Sequence, residues 1–260
     1  MKHAADDQTP PVTDSPRTLA IDVGGTGLKA SVLDSAGQML VGRVRVATPY
    51  PCEPDVLMRT IADLIVSLPA FDRISIGFPG IVRDGRVVTA PHFGTQSWAD
   101  YPFEQALSRH LGKPARLLND AEVQGLGIIA GRGLEVVLTL GTGIGSAIFQ
   151  DGRLSPHIDL AQHPIHKSKT YNEYVGSKAC LRLNPKRWNR RILKMSKIVF
   201  SLLHYDILYL GGGNAAKIVV DLPVNIRLAS NEAGITGGIH LWDADYGTPQ
   251  YRCTQASEQG

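Results

Sequence analysis

The chain has 260 residues, 43% of them hydrophobic and 20% charged, with a net charge of +3. That is enough apolar content for a substantial core, in one two-lobed unit or two small domains, and no apolar run approaches membrane-spanning length. Cys52, Cys180 and Cys253 are odd in number, widely spaced and without a Cys-x-x-Cys pair, which argues against a disulfide framework and for the reducing cytoplasm.

Met1 to Arg17 is polar, carries three prolines with Asp6, Asp7 and Asp14, and lacks an apolar h-region. It reads as a disordered leader, not a signal peptide. Leu19 to Leu33 follows as an apolar strand, a glycine turn and a second apolar strand. Gly24, Gly25 and Gly27 can leave backbone N–H groups facing an anion. Thr26 adds a hydroxyl and Lys29 a point charge, and Asp22 is a carboxylate suited to Mg²⁺, directly or through water. The Walker spacing is absent, and the strand after the turn argues against a dinucleotide fingerprint. A plain hairpin turn would also explain one such segment. A second copy, Thr139 to Phe149, aligns Gly141, Thr142 and Gly143 with Gly25, Thr26 and Gly27, pointing to two related lobes around one cleft.

Between the hairpins, Glu53 to Leu68 reads as an amphipathic helix, Arg73 to Gly80 as a strand ending in a Pro-Gly turn, Tyr101 to Leu111 as a helix and Ala115 to Leu118 as a strand. A helix is expected from Asn119-Asp120 to about Gly131. That pair is either a plain N-cap or a group delivered to the cleft. Helices near Tyr171 to Leu183 and Arg187 to His204 follow, then a strand from Asp206 into Gly211, Gly212 and Gly213, where the backbone can approach a phosphate chain or nucleotide.

Lys167 to Lys197 holds ten Lys or Arg residues and one acid, Glu173, so it carries +9 while the rest of the chain sums to −6. Lys186, Arg187, Arg190, Arg191, Lys194 and Lys197 would share one helix face, either solvated or a track for a polyanion. The near-absence of interleaved aromatics argues against nucleic acid as the partner.

These motifs together, Asp-Val-Gly-Gly-Thr-Gly-x-Lys, Asn119-Asp120-Ala121, Leu140 to Gly145 and Gly211 to Gly213, resemble the ROK sugar kinases of the actin/hexokinase/Hsp70 superfamily. The short chain, and the stretch Pro164 to Thr170 where many members carry a Cys-rich zinc loop, resemble the polyphosphate-dependent glucokinase branch most. The resemblance implies an α/β, two-lobed actin-like ATPase (ribonuclease H-like) fold with a phosphate hairpin in each lobe. It implies lobes over 18–118 and 119–234, a helix over 235–248 returning to the first lobe, and a tail over 249–260. It implies a cytoplasmic homodimer that phosphorylates the 6-hydroxyl of glucose or a related hexose, with Mg²⁺ and with polyphosphate or ATP as donor, and without structural zinc.

In that reading Asp120 is the catalytic base and Asp22 the metal carboxylate. Gly24, Gly25, Thr26, Gly27, Lys29, Gly141, Thr142, Gly143, Gly211, Gly212 and Gly213 hold donor phosphates, although Lys29 could equally face solvent from its strand. His92, Asn119, Asp120, Asp159, Gln162 and Glu173 meet the sugar. Two departures stand out: the family's Glu-x-Gly-His is Asp159-Leu-Ala-Gln162 here, and its sugar-side Asn corresponds to His92. The alternative is a sugar sensor without catalysis, or a polyanion-binding regulator of the same fold.

Overall fold

The computed structural model describes residues 15–230 and 232–243. Most of the expected leader, Asn231 and everything from residue 244 lie outside the described residues.

Chain order begins with the expected hairpin, β1 (Thr18–Val23) and β2 (Gly27–Leu33), then β3 (Val44–Ala47), α1 (Pro54–Ile65), β4 (Arg73–Phe78), a small hairpin of β5 (Val82–Arg83) and β6 (Arg86–Val87), α2 (Phe103–Leu111) and β7 (Ala115–Asn119). These strands form a five-stranded sheet ordered β3-β2-β1-β4-β7. Leu19, Ile21, Ile74 and Ile76 alternate toward a core shared with Leu57 and Ile61 of α1 and Leu107 of α2. Phe78, Phe93, Trp98 and Phe103 close its lower end as an aromatic cluster, with neighbouring ring centroids 4.9–5.6 Å apart.

α3 (Asp120–Leu126) leads to the second lobe: β8 (Leu134–Leu140), β9 (Ile144–Gln150), β10 (Arg153–Leu154), the hairpin β11 (Pro164–His166) and β12 (Lys169–Thr170), α4 (Tyr171–Val175), α5 (Ser177–Arg182), α6 (Pro185–Leu203), β13 (Ile207–Gly211) and β14 (Ile226–Leu228). The second sheet is ordered β10-β9-β8-β13-β14. Strand for strand it repeats the first: an antiparallel hairpin, a short edge strand beside its second arm, and two parallel strands beside its first. The duplicated glycine motif is therefore the visible part of a duplicated sheet.

Three helices before the closing segment differ from expectation. α3 ends at Leu126, not near Gly131: the Gly127 N–H turns to Gln124 O, and the N–H groups of Ala130, Gly131 and Arg132 go to the Glu135 carboxylate instead of continuing the helix. The helix expected over 171–183 is two helices, broken where Gly176 is extended. α6 begins at Pro185, capped by the Asn184 side chain on the Arg187 N–H, two residues earlier than expected.

In place of one helix over 235–248, the closing segment is α7 (Ala233–Thr236) followed by a 3₁₀ turn over Gly237–Trp242, which packs on the first sheet; 244–248 lie outside the described residues. Ser75 Oγ donates to Gly238 O at 2.6 Å, and Trp242 Nε1 donates to Ser75 Oγ at 2.9 Å. The guanidiniums of Arg73 and Arg116 lie over the Trp242 ring, 5.0 and 4.6 Å from its centroid. α3 touches β4 of one sheet, β8 and β9 of the other, and α7.

Candidate active site

The two glycine hairpins, the start of α3 and the turn after β13 line one cleft of about 820 Å³. Asp22, Gly24, Gly25, Thr26, Gly27, Lys29, His92, Asn119, Asp120, Gly141, Thr142, Gly143, Asp159, Gln162, Gly212 and Gly213 all reach its wall. Residues more than a hundred positions apart are thereby brought together. Two expected residues do not line it. Gly211 is buried in β13, and Glu173 turns back to cap its own helix, its Oε2 accepting the Thr170 N–H at 2.9 Å. The neighbouring Asn172 faces the cleft instead, and its Oδ1 accepts the Ile144 N–H at 2.7 Å.

The α3 N-terminus resolves the two readings of Asn119-Asp120 in favour of both. Asn119 is the N-cap: its Oδ1 accepts the Ala121 N–H at 2.9 Å, and Glu122 completes the capping box by accepting the Asn119 N–H. The Asn119 amide also donates to Gly80 O at 3.0 Å, tying the Pro79–Gly80 turn to the helix. Asp120 is then the first helical residue and faces the cleft. A Cβ at Gly145 would lie 3.5 Å from its Oδ1, and one at Gly77 would lie 3.3 Å from its Cα, so glycines on both sheets make room for it. Burial, and secondarily the negative charge of Asp22, push the Asp120 pKa up to about 7.

Across the floor, Asp22 Oδ2 accepts from Lys29 Nζ at 2.7 Å. Lys29 is therefore spent on a carboxylate rather than pointing freely to solvent. Gly234 of α7 comes close to the same carboxylate, since a Cβ there would sit 3.4 Å from Oδ2. Among the described residues no group of three or more His, Cys, Asp or Glu side chains is arranged to hold a metal ion. Asp22 could hold a cation only with oxygens from a ligand or water completing its shell, the usual arrangement for Mg²⁺ on a phosphorylated substrate.

His92 is wedged between the hairpins. Cβ atoms at Gly25 and Gly143 would stand 3.4 Å from its Cβ and 2.9 Å from its Nε2. Burial holds its pKa below the usual histidine value, partly offset by Asp159. On the other wall His157 Nδ1 lies 2.8 Å from Glu122 Oε1, a hydrogen bond that raises the His157 pKa and ties the loop bearing Asp159 and Gln162 to the α3 cap. Under the second hairpin, Ser177 and Asn214 both donate to Gly141 O, and Asn214 Nδ2 donates to Ser177 Oγ at 2.9 Å.

His157, Asn172, Ser177, Asn214, Arg43 and Arg45 line the cleft without belonging to any motif read from the sequence. Only the strand register and the loop paths bring them there. The basic face of α6 does form, with Lys186, Arg187, Arg190, Lys194 and Lys197 exposed and Arg191 stacked 4.6 Å from the Tyr174 ring. No residue of α6 lines the cleft.

The ROK family model matches residues 18–156. Over 254 residues the chain is 28% identical to the polyphosphate glucokinase of Mycobacterium tuberculosis, covering 92% of this chain and 96% of that one. It is 27% identical over 249 residues to the polyphosphate glucokinase of Mycobacterium leprae, covering 90% and 76%. Among solved structures, the inorganic polyphosphate/ATP-glucomannokinase of Arthrobacter sp. strain KM matches with a TM-score of 0.78 and 28% identity, covering 86% of this chain and 97% of that one. The ROK family glucokinase of Streptomyces griseus, in complex with glucose and AMPPNP, matches with a TM-score of 0.67 at 18% identity, over 86% and 98%, a likeness of fold.

Proposed function

The chain belongs to the ROK family, and from that premise we propose that it is a sugar kinase, transferring a phosphoryl group to the 6-hydroxyl of glucose or a related hexose from polyphosphate or ATP. The observation that carries this reading is Asp120, a carboxylate at a helix start, poised near neutral pH and facing both glycine hairpins.

Phosphoryl transfer asks mainly for positioning and neutralisation of charge. Asp120 accepts the proton of the sugar hydroxyl as that oxygen bonds to the terminal phosphorus. The bond from that phosphorus to the next bridging oxygen breaks, releasing ADP or a polyphosphate one residue shorter. A base with a pKa near the working pH suits this role, being ionised in the free enzyme and still a competent acceptor. The hairpins at Gly24–Gly27 and Gly141–Gly143 offer backbone N–H groups to the donor. Gly212 and Gly213 present a further stretch of bare backbone to it.

Mg²⁺ suits the donor set, because Asp22 supplies one carboxylate and donor oxygens would supply the rest. When bound it would neutralise donor phosphate charge. Lys29, 2.7 Å from Asp22 Oδ2, orients that carboxylate for it. Asp159, Gln162 and His92 are proposed to meet the sugar. Asp159 and Gln162 are exposed on the cleft rim, whereas His92 sits deeper between the hairpins, where it also meets the donor side.

Phosphorus NMR of glucose incubated with Mg²⁺ and either donor tests the reading. It predicts a sugar 6-phosphate resonance with at least one donor. Absence of any sugar phosphate across a panel of hexoses, with sugar binding retained, would make the protein a sensor instead.

A further inference from the structure

In the first sheet the register places Asp22 opposite Lys29, and Lys29 opposite Arg45. Directly opposed residues share a face, so one row of charges runs from the cleft floor across β1 and β2 to the edge strand β3. Lys29 is neutralised by Asp22 at 2.7 Å. Arg45 is not: none of the ion pairs among the described residues involves it, and it stands opposite another cation. Like charges directly opposed across strands are destabilising, so a structural role does not account for Arg45.

Its guanidinium is held over the exit of the first glycine hairpin. A Cβ at Gly27 would stand 3.2 Å from Arg45 Nε and 3.3 Å from Nη2, so the glycine leaves space for that group. Arg43, two residues earlier, is exposed and lines the same cleft. Lys29, Arg45 and Arg43 thus lead outward from the phosphate hairpin as a run of cations whose outer two members lack an anionic partner among the described residues.

We infer that Arg43 and Arg45 form a donor subsite that binds the phosphates of a linear polyphosphate beyond the one being transferred, so that the chain leaves the cleft along β3. This rests on the kinase reading above. Guanidinium groups bind phosphate oxygens in pairs, and each internal phosphate of such a chain offers them. A nucleoside triphosphate carries only two phosphates beyond the one transferred and then ends in a sugar and an uncharged base, with no further anionic oxygens to pair with the outer arginines. The subsite therefore discriminates between donors. The basic face of α6, the more conspicuous cationic surface in the sequence, lies off the cleft and is not the track.

The test compares glucose phosphorylation by the wild-type chain, Arg43→Ala/Arg45→Ala, Arg45→Lys, and the α6 variant Arg190→Ala/Lys197→Ala, with medium-chain polyphosphate and with ATP. The double β3 variant should raise KM for polyphosphate about tenfold more than KM for ATP, with Arg45→Lys intermediate and the α6 variant within about twofold of wild type. Polyphosphate binding measured without sugar should weaken in parallel, and the wild-type KM should climb steeply with salt. Equal losses with both donors, or a polyphosphate defect confined to the α6 variant, would overturn the subsite while leaving the kinase intact. A wild-type chain that uses ATP alone would overturn the polyphosphate reading itself, and the subsite with it.

Discussion

In the proposed reaction Asp120 is the base, and its environment makes two measurable demands. Because burial and Asp22 raise its pKa to about 7, kcat/KM for the sugar should fall as pH drops through that value, with a slope of one proton. The same shift bears on stability. The folded carboxyl holds its proton more tightly than the unfolded one, whose ordinary value is 3.8. A cost to folding therefore begins as pH rises past the unfolded value and is complete above about 7. Asp120→Asn removes that cost, so it should raise stability by about 1–3 kcal/mol at pH 8 and by less at pH 5, read by denaturant melts at both. Asp120 was legible in the sequence because it sits between an apolar strand and a helix start, where a cap and a functional group read alike. Glu173 was expected at the sugar from the family resemblance alone, and its side chain is consumed by its own capping box. Arg43 and Arg45 carry no motif at all, because their place follows from the pairing of β3 with β2, a property of the sheet and not of the local segment.

Among the elements, the glycine turns do the shaping. Gly212 has φ +80°, and a Cβ there would stand 2.6 Å from the Leu140 nitrogen, so the turn after β13 can form against the second hairpin only without a side chain. Gly212→Ala should cost about 1–3 kcal/mol in a denaturant melt and raise KM for either donor, since Leu140 leads into Gly141. An unchanged melt and unchanged KM values would mean that the turn relaxes freely. The two glycine hairpins and the long strands β4, β7 and β13 were readable from apolar runs and Gly-Thr-Gly turns, while the short strands β3, β10, β11, β12 and β14 and most helix ends were not. α3 stops early where the N–H groups of Ala130, Gly131 and Arg132 turn to the Glu135 carboxylate, a partner from the next strand, and α4 parts from α5 where Gly176 is extended.

At the scale of the molecule, each sheet has its own core, and α3 and the closing segment join them. The sequence announced the duplication through two short motifs, and the matching strand orders extend it to the whole of both sheets. Ligands that bridge the cleft should stabilise the fold as a unit. At about 100 times its Kd, a sugar binding only the folded chain adds about 2.7 kcal/mol, or ~5–10 °C in melting temperature, and a hexose that does not bind leaves the melt unmoved. The central claim, that this cleft transfers phosphate with Asp120 as base, is tested most directly by assaying wild type and Asp120→Asn side by side for glucose phosphorylation with polyphosphate and with ATP. The account predicts turnover in the wild type and a loss of at least about a hundredfold in the variant, with sugar-induced stabilisation retained. A folded Asp120→Asn protein that turns over at the wild-type rate would contradict it.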